Sequence, residues 1–502
     1  MMNFKKRLNS IFLISFAAGI LLLIPNLNTL ASSIRVQSIG QTSLITEDED
    51  NQINLSDFGL NSAWLLKDEP KNWLKFSGIG DFHQGSFHRI YDPEEATNFH
   101  ALFKGLKSLG KNQIFRGMVD YGGSFRYDVN ESADKEPFAN HPYRLTDNTK
   151  GDINYAGPKI SAQYCCNLFK DKLFIAGTTD YQLETGLKHG FIQPRTIYRS
   201  AGIGAALAYQ QSKNITLGTT FNYTNSQEYI EYMPPATYES REIQIKKYRG
   251  EKIASPGSTD SEVFRKLKCY NLGFQAVYNS SGNFDIGLKI NANFQDLKMT
   301  ENRFAPVEEG TWKLRGYELN LKGRNKIGRF PLYFGYSFDQ IYYNDWAVHP
   351  DFDILFGDDD FSGNYWGLGI AFQPFCGRLY LAGEIHHAIS LIKKRDYISQ
   401  FVESGNIIDD VIKLGVEYLV FNHYFIRAGF ILTENSSTDA LLVFSEYEIK
   451  NHKYTYTGGL GLKFNLFEAD FHFQYSEKSG VETVNYGKRK SVYMYIMLKF
   501  YK

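Results

Sequence analysis

"SVYMYIMLKFYK", residues 491–502, closes the chain on a strict alternation. Val492, Met494, Ile496, Leu498 and Phe500 share one parity, and Tyr493, Tyr495, Met497, Lys499 and Tyr501 share the other, which holds the stretch's only internal charge. Successive side chains of a strand point to opposite faces, so a period of two reads as a strand with one fully apolar face.

The pattern recurs along the chain. In "IFRGMVDYGGSFRYDV" (114–129), Phe115, Val119, Tyr121 and Phe125 oppose Arg116, Asp120, Arg126 and Asp128. In "FDIGLKINANFQ" (284–295), Phe284, Ile286, Leu288 and Ile290 oppose Asp285, Lys289, Asn291 and Asn293. Leu381 and Ile385 oppose Glu384 and His386, Leu414 and Val416 oppose Lys413 and Glu417, and Phe471 and Phe473 oppose Asp470 and His472. A soluble β-sandwich would alternate in the same way, with its apolar face turned inward. Strand length argues against it. The runs extend over about 12 residues or more, whereas soluble strands usually have five or six and about ten tilted residues cross a bilayer. The connections argue against it too. Short turns such as 108–112, 167–172, 210–214, 279–283 and 421–423 alternate with mostly longer polar connections, near 129–153, 229–264, 344–362, 391–409 and 435–451. Tight periplasmic turns and long outer loops are the construction of an outer-membrane barrel.

The expected fold is therefore all-β: a closed antiparallel transmembrane β-barrel of about 16–18 strands over residues 73–502. The count falls to the lower figure if the segments near 73–88 and 97–107 belong to a plug instead. Either number leaves a lumen, because about eight strands already fill their interior with side chains. The apolar parity of 492–500 with its near-terminal aromatic resembles the C-terminal signature of bacterial outer-membrane β-barrel proteins, porins among them, which the barrel assembly machinery recognises. Here Tyr501 and Lys502 follow Phe500, where that signature ends on the aromatic itself.

At the other end, Lys5, Lys6 and Arg7 precede the apolar run 11–24, Pro25 and the small residues "NTLASS". This is the layout of a secretory signal peptide over residues 1–31; the run is shorter than the roughly 20 residues of a membrane anchor. Lys+Arg and Asp+Glu both number 55, so net charge points to no nucleic-acid partner. Aromatic content is 16%, high for a soluble enzyme, while mean hydropathy is −0.35. The four cysteines, Cys165, Cys166, Cys269 and Cys376, have neither zinc nor redox spacing. No cofactor is expected.

Residues 32–72 do not alternate. They contain the acids Glu47, Asp48, Glu49 and Asp50, then Asp57 and "NSAW" (Asn61–Trp64). This layout resembles the N-terminal plug of the long-chain fatty acid transporter family, with Asn61-Ser62-Ala63 standing where that family has Asn-Pro-Ala. The resemblance implies a plug within the lumen, carried by residues such as Asp48, Asp57, Asn61 and Trp64, and a path for apolar solutes. A periplasmic tail without gating is the alternative.

Parity assigns Arg116, Arg126, Lys159, Lys289, Lys413, Arg427 and Lys499 to the lumen. It also assigns Asp120, Asp128, Asp180, Glu184, Asp285, Glu384, Glu417 and Asp470 there. This mixture makes neither an anion- nor a cation-selective ring. The acid-rich "DFDILFGDDDFSG" (351–363) departs from the EF-hand spacing and reads as a hydrated outer loop, so no metal site is assigned. A barrel hydrolase would have to use His386 or His472, yet no GxSxG turn is present.

Three functions remain: a plugged or gated channel for small solutes, a barrel that anchors partner-binding loops (229–264 above all, with Tyr229, Tyr232, Tyr238 and Tyr248), and a hydrolase. The channel reading leads. It places the protein in the outer membrane of a Gram-negative bacterium, in contact with the bilayer and lipopolysaccharide.

Overall fold

The computed structural model describes Ile53, Leu55, Phe58, residues 60–68 and residues 72–502, except for 89–90, 133, 137–140, 142, 144–145, 170, 190–192, 234–242, 246–252, 256–261, 281–283, 302–304, 328–331, 350–353, 375–377, 398–399, 422, 438–450 and 481–486. All of these belong to one unit of the chain, Ser33–Lys502. The expected signal peptide and two of the expected plug residues, Asp48 and Asp57, lie outside the described residues.

Eighteen strands form one antiparallel sheet that closes on itself. In chain order they begin with β1 (Trp73–Gly85), β2 (Glu95–Ser108), β3 (Gln113–Ser132), β4 (Thr146–Phe169), β5 (Leu173–His189), β6 (Gln193–Gln210) and β7 (Ile215–Met233). A small separate hairpin, β8 (Ile243–Ile245) and β9 (Ile253–Ser255), follows. The wall resumes with β10 (Glu262–Ser280), β11 (Phe284–Glu301), β12 (Val307–Ile327), β13 (Leu332–His349), β14 (Ile354–Phe372) and β15 (Leu379–Asp396). It ends with β16 (Phe401–Val420), β17 (Tyr424–Ser437), β18 (Asn451–Phe464), β19 (Phe467–Gly480) and β20 (Lys488–Tyr501). Each wall strand pairs with its neighbour in sequence, and β20 pairs with β1 from Tyr501↔Trp73 to Arg489↔Gly85. Ring closure leaves no edge, so every wall strand has backbone partners on both sides, as the interior of a bilayer demands.

Both segments whose membership was open, near 73–88 and 97–107, are wall strands, which fixes the count at eighteen. The outward parity of the closing strand is Val492 to Phe500, and Tyr495 and Met497 of the other parity are buried. Outward residues are large and apolar all round the ring: Ile203, Leu368 and Ile385 are 60%, 61% and 58% exposed. A belt of that extent is covered by hydrocarbon rather than water in a stable barrel.

The strands, 13 residues in β1 and 24 in β4, exceed what a membrane requires. A 20-residue strand tilted by about 40° rises about 50 Å, against an apolar band of about 25 Å. The hairpins therefore continue as strands beyond the belt, and the expected outer loops are correspondingly shorter. The polar stretches 344–362 and 391–409 are mostly strand, and Asp358, Asp359 and Asp360 sit within β14, not in a loop. Asp358 and Asp360 both meet Arg395 of β15 at 2.6 Å, while Asp359 faces inward.

Candidate functional site

The interior is filled at both ends by chain segments, and the candidate site is the space between them. At the end carrying the short turns, Asn61 caps a single 3-10 turn, Ser62–Trp64, which a further helical turn, Leu65–Asp68, continues. Asn is a favoured cap because its side-chain oxygen can take an orphan amide, here that of Ala63 at 3.0 Å. The same side chain crosses to the wall. Its Nδ2 donates to the carbonyls of Leu207 and Thr219 and to Gln275 Oε1, at 3.1, 3.3 and 3.0 Å. Gly218 makes the approach feasible, since a Cβ there would stand 2.6 Å from Asn61 Nδ2. Around this amide lies an apolar plug: Leu55, Ala63 and Leu65 pack with Trp73, Cys165, Phe174 and Ala208. Cys165 Sγ donates to the carbonyl of Ala63 at 3.1 Å, and Trp64 meets Phe174 edge-on at 5.4 Å. Of the expected plug residues, Asn61 and Trp64 thus lie inside the barrel against β4–β7 and β10.

At the opposite end, Asp134, Lys135 and Tyr143, which lie between β3 and β4 in the chain, stand inside the barrel. Asp134 meets Arg265 of β10 at 2.5 Å, and Arg265 also meets Glu228 of β7 at 2.9 Å and donates to the Tyr143 carbonyl at 3.0 Å. Asp134, Tyr143 and Arg265 are buried, Arg265 to 4% exposure, and Glu228 is half-buried. Lys135 meets Glu184 at 2.8 Å and stands 3.8 Å from the Tyr198 ring centre. Tyr143 is fully buried, its hydroxyl donating to the Thr311 carbonyl at 2.8 Å, among Ile230, Met299 and Trp312.

Among the expected lumen residues, Arg427 is held by Glu417 at 2.8 Å and Asp470 at 2.6 Å, a buried triad near the turn end of β16–β19. Glu384 meets His386 at 3.1 Å and Lys413 at 3.8 Å. Asp285 meets Arg324 at 3.3 Å, Arg116 donates to Gln163 at 2.8 Å, Arg126 donates to the Lys135 carbonyl at 2.9 Å, and Asp120 meets His100 at 3.3 Å. Lys289 lies on the same inward parity, opposite Asn320.

Asp128 does not belong with them. A bulge between Arg126 and Val129 inserts an extra residue, with Asp128 in the left-handed region at φ 56°. The extra residue reverses the parity, so Val129 turns inward and Asp128 is exposed beside Lys150 at 3.5 Å. Sequence reasoning also missed Arg265, Glu228, Glu318 and Asp339, all on the inward parity of β7, β10, β12 and β13. Extending the alternation to those strands would have found them; the part played by Asp134 and Tyr143 left no local signal. Of the tyrosines proposed as a partner-binding surface, Tyr229 lies in β7 stacked on Phe264 at 4.6 Å, while Tyr238 and Tyr248 lie outside the described residues.

Residues 62–346 match DUF6850, a family of unknown function. No curated protein matches the sequence. Among solved structures, the chain is similar to the outer membrane transporter YddB of Escherichia coli, with a TM-score of 0.41 and 8% identity over 85% of this chain and 81% of that one. It is similar to the FrpB iron transporter of Neisseria meningitidis, with a TM-score of 0.44 and 10% identity over 87% and 83%. The toluene transporter TodX of Pseudomonas putida gives a TM-score of 0.34 and 11% identity over 94% and 100%.

Proposed function

Because the chain belongs to the DUF6850 family, whose function is unknown, its role has to be read from its own barrel, and we propose that it is an outer-membrane channel passing small polar solutes through a lumen gated by its own internal segments. The observation that carries this reading is the docking of Asn61–Leu65 within a closed eighteen-stranded wall, held by one amide and a patch of apolar packing. Eighteen strands enclose more space than the wall's own side chains fill, and the chain fills both ends of that space with separate segments. Such a plug suits a gate because it can leave without breaking the wall.

The inward face between the plugs carries amides, carboxylates and amines rather than hydrocarbon. Asn291 donates to Glu318 at 3.0 Å and Asn320 to Asp339 at 2.7 Å. A wall of this kind favours polar solutes over the apolar ones that a fatty-acid-transporter-like plug would suggest. The reading includes export by the signal peptide at 1–31, insertion by the barrel assembly machinery, and contact of the outer belt with lipid and lipopolysaccharide. No catalytic role is proposed for His386 or His472.

The test is conductance of the full chain in planar bilayers, compared with Asn61→Ala and with a chain lacking residues 53–68. Larger or more frequent openings in both variants are expected. A wall that folds in all three forms, as shown by different gel migration before and after heating, and never conducts would end the channel reading.

A further inference from the structure

The inward face of β4, β5 and β7 changes accessibility with height in the same way on each strand. On β4, Cys165 is buried beneath the turn-end plug and Tyr155 beneath the loop-end segment, but Lys159 between them is exposed. On β5, Phe174 and Lys188 are buried and Asp180 between them is exposed. On β7, Thr220 and Ile230 are buried and Asn222 between them is exposed. Three strands that run buried, exposed, buried along one parity outline a chamber at mid-height, capped at both ends.

Many charged groups elsewhere in this lumen are already paired. Arg265, Arg324, Lys135 and Arg427 each touch a carboxylate. Lys159 stands directly opposite Asp120, yet Asp120 is engaged by His100. The register sets Lys159 against Gln182 and Ser161 against Asp180, so Lys159 and Asp180 are diagonal neighbours. Diagonal positions on adjacent strands lie about 7–8 Å apart. Among the described residues neither of the two forms an ion pair. Gly202, opposite both Asp180 and Thr224, leaves the wall beside them without a side chain.

We propose that this chamber is a binding site for a small zwitterionic solute, its carboxylate taken by Lys159 and its ammonium by Asp180, with Asn222 alongside. Opposite charges on diagonal neighbours, neither of them paired within the described wall, can both be met by one small molecule through charge-assisted hydrogen bonds of about 2.8 Å, which matches a solute carrying both charges. A neutral solute would leave both groups without a partner, and a singly charged one would leave one of them so. The inference rests on the lumen being a solute path, and it names the class of solute.

Two measurements on the full chain separate this inference from the channel reading. In detergent, saturation-transfer NMR compares glycine with glycolamide, a neutral molecule of the same size. Transfer to glycine is expected, at least fivefold weaker in Lys159→Met and in Asp180→Asn and partly restored in the exchanged pair Lys159→Asp with Asp180→Lys. Equal transfer to both solutes, no transfer to either, or transfer to glycine unmoved by the single variants overturns the site. Osmotic swelling of liposomes in the same two solutes reads the path. Swelling without a preference for glycine counts against the site and leaves the channel standing. Transfer without any swelling keeps the site and removes the channel.

Discussion

At the turn end, Leu55, Ala63 and Leu65 lie on Trp73, Phe174 and Ala208, and one uncharged side chain, Asn61, donates to the wall at Leu207, Thr219 and Gln275. At the loop end, Asp134 and Glu228 converge on Arg265, Lys135 meets Glu184, and Tyr143 fills the centre. The first closure is held chiefly by area: a buried apolar surface contributes roughly 25 cal/mol per Å² and has no preferred direction. The second is held by geometry, because a buried guanidinium is stable only while its carboxylates stay in place. An apolar plug can come away and return at modest cost, whereas a buried ionic knot resists partial opening. The comparison therefore assigns gating to the turn end and a fixed constriction to the loop end.

The largest effect expected is at the knot. Arg265→Ala leaves the buried Asp134 and the half-buried Glu228 without their cation and should cost about 3–5 kcal/mol in urea unfolding followed by tryptophan fluorescence. Arg265→Lys should recover only part of this, since an ammonium cannot reproduce the planar fork that reaches Asp134, Glu228 and the Tyr143 carbonyl together. If the two ends are independent, Arg265→Ala leaves the turn-end plug docked. An equal loosening of both ends would break the comparison.

Asn61→Ala addresses the other end. It removes a cap and the amide contacts to Leu207, Thr219 and Gln275, a loss of about 2 kcal/mol in docking. Cys165 beneath the Ala63 carbonyl reports on it directly. In a chain retaining that cysteine alone, maleimide labelling should quicken about thirtyfold, the ratio matching about 2 kcal/mol. Gly218→Ala should act in the same direction, because its new Cβ would stand 2.6 Å from Asn61 Nδ2 and push it off the wall. Unchanged labelling in both variants would mean that the plug is held by hydrocarbon contacts alone.

How much of this was legible in the sequence follows from how local each feature is. Alternation is a property of neighbouring residues, so the wall, its closure and the inward parity of Glu384, Glu417, Arg427 and Asp470 could be read directly. The bulge at Asp128 breaks the alternation by adding one residue, and nothing in "RYDV" marks which residue is extra. The outer ends of β13 to β16 read as loops because charged residues such as Asp358, Asp359, Asp360, Lys393, Lys394 and Arg395 fall on both faces there, which breaks the alternation while the hydrogen-bonded ladder continues. The loop-end knot joins Asp134 to Arg265 across 131 residues. No periodicity encodes a contact of that range. Asn61 was recognised through a resemblance, and its dual role as cap and anchor emerges only when the wall stands around it.

Tyr143→Phe is the smallest and sharpest test of the comparison. The ring stays among Ile230, Met299 and Trp312, so the packing is kept and only the hydroxyl is lost. That hydroxyl donates to the Thr311 carbonyl at 2.8 Å and lies 3.1 Å from that of Val348. One buried hydrogen bond contributes about 1 kcal/mol, so the unfolding midpoint should fall by much less than in Arg265→Ala. Tyr143→Ala, which empties the space, should cost about 3–5 kcal/mol in the same measurement. A constriction held rigid by the knot keeps its single-channel conductance in Tyr143→Phe and gains conductance in Tyr143→Ala. If Tyr143→Phe alone widened the pore, the loop end would depend on one hydroxyl rather than on Arg265, and the fixed constriction would have to be assigned elsewhere.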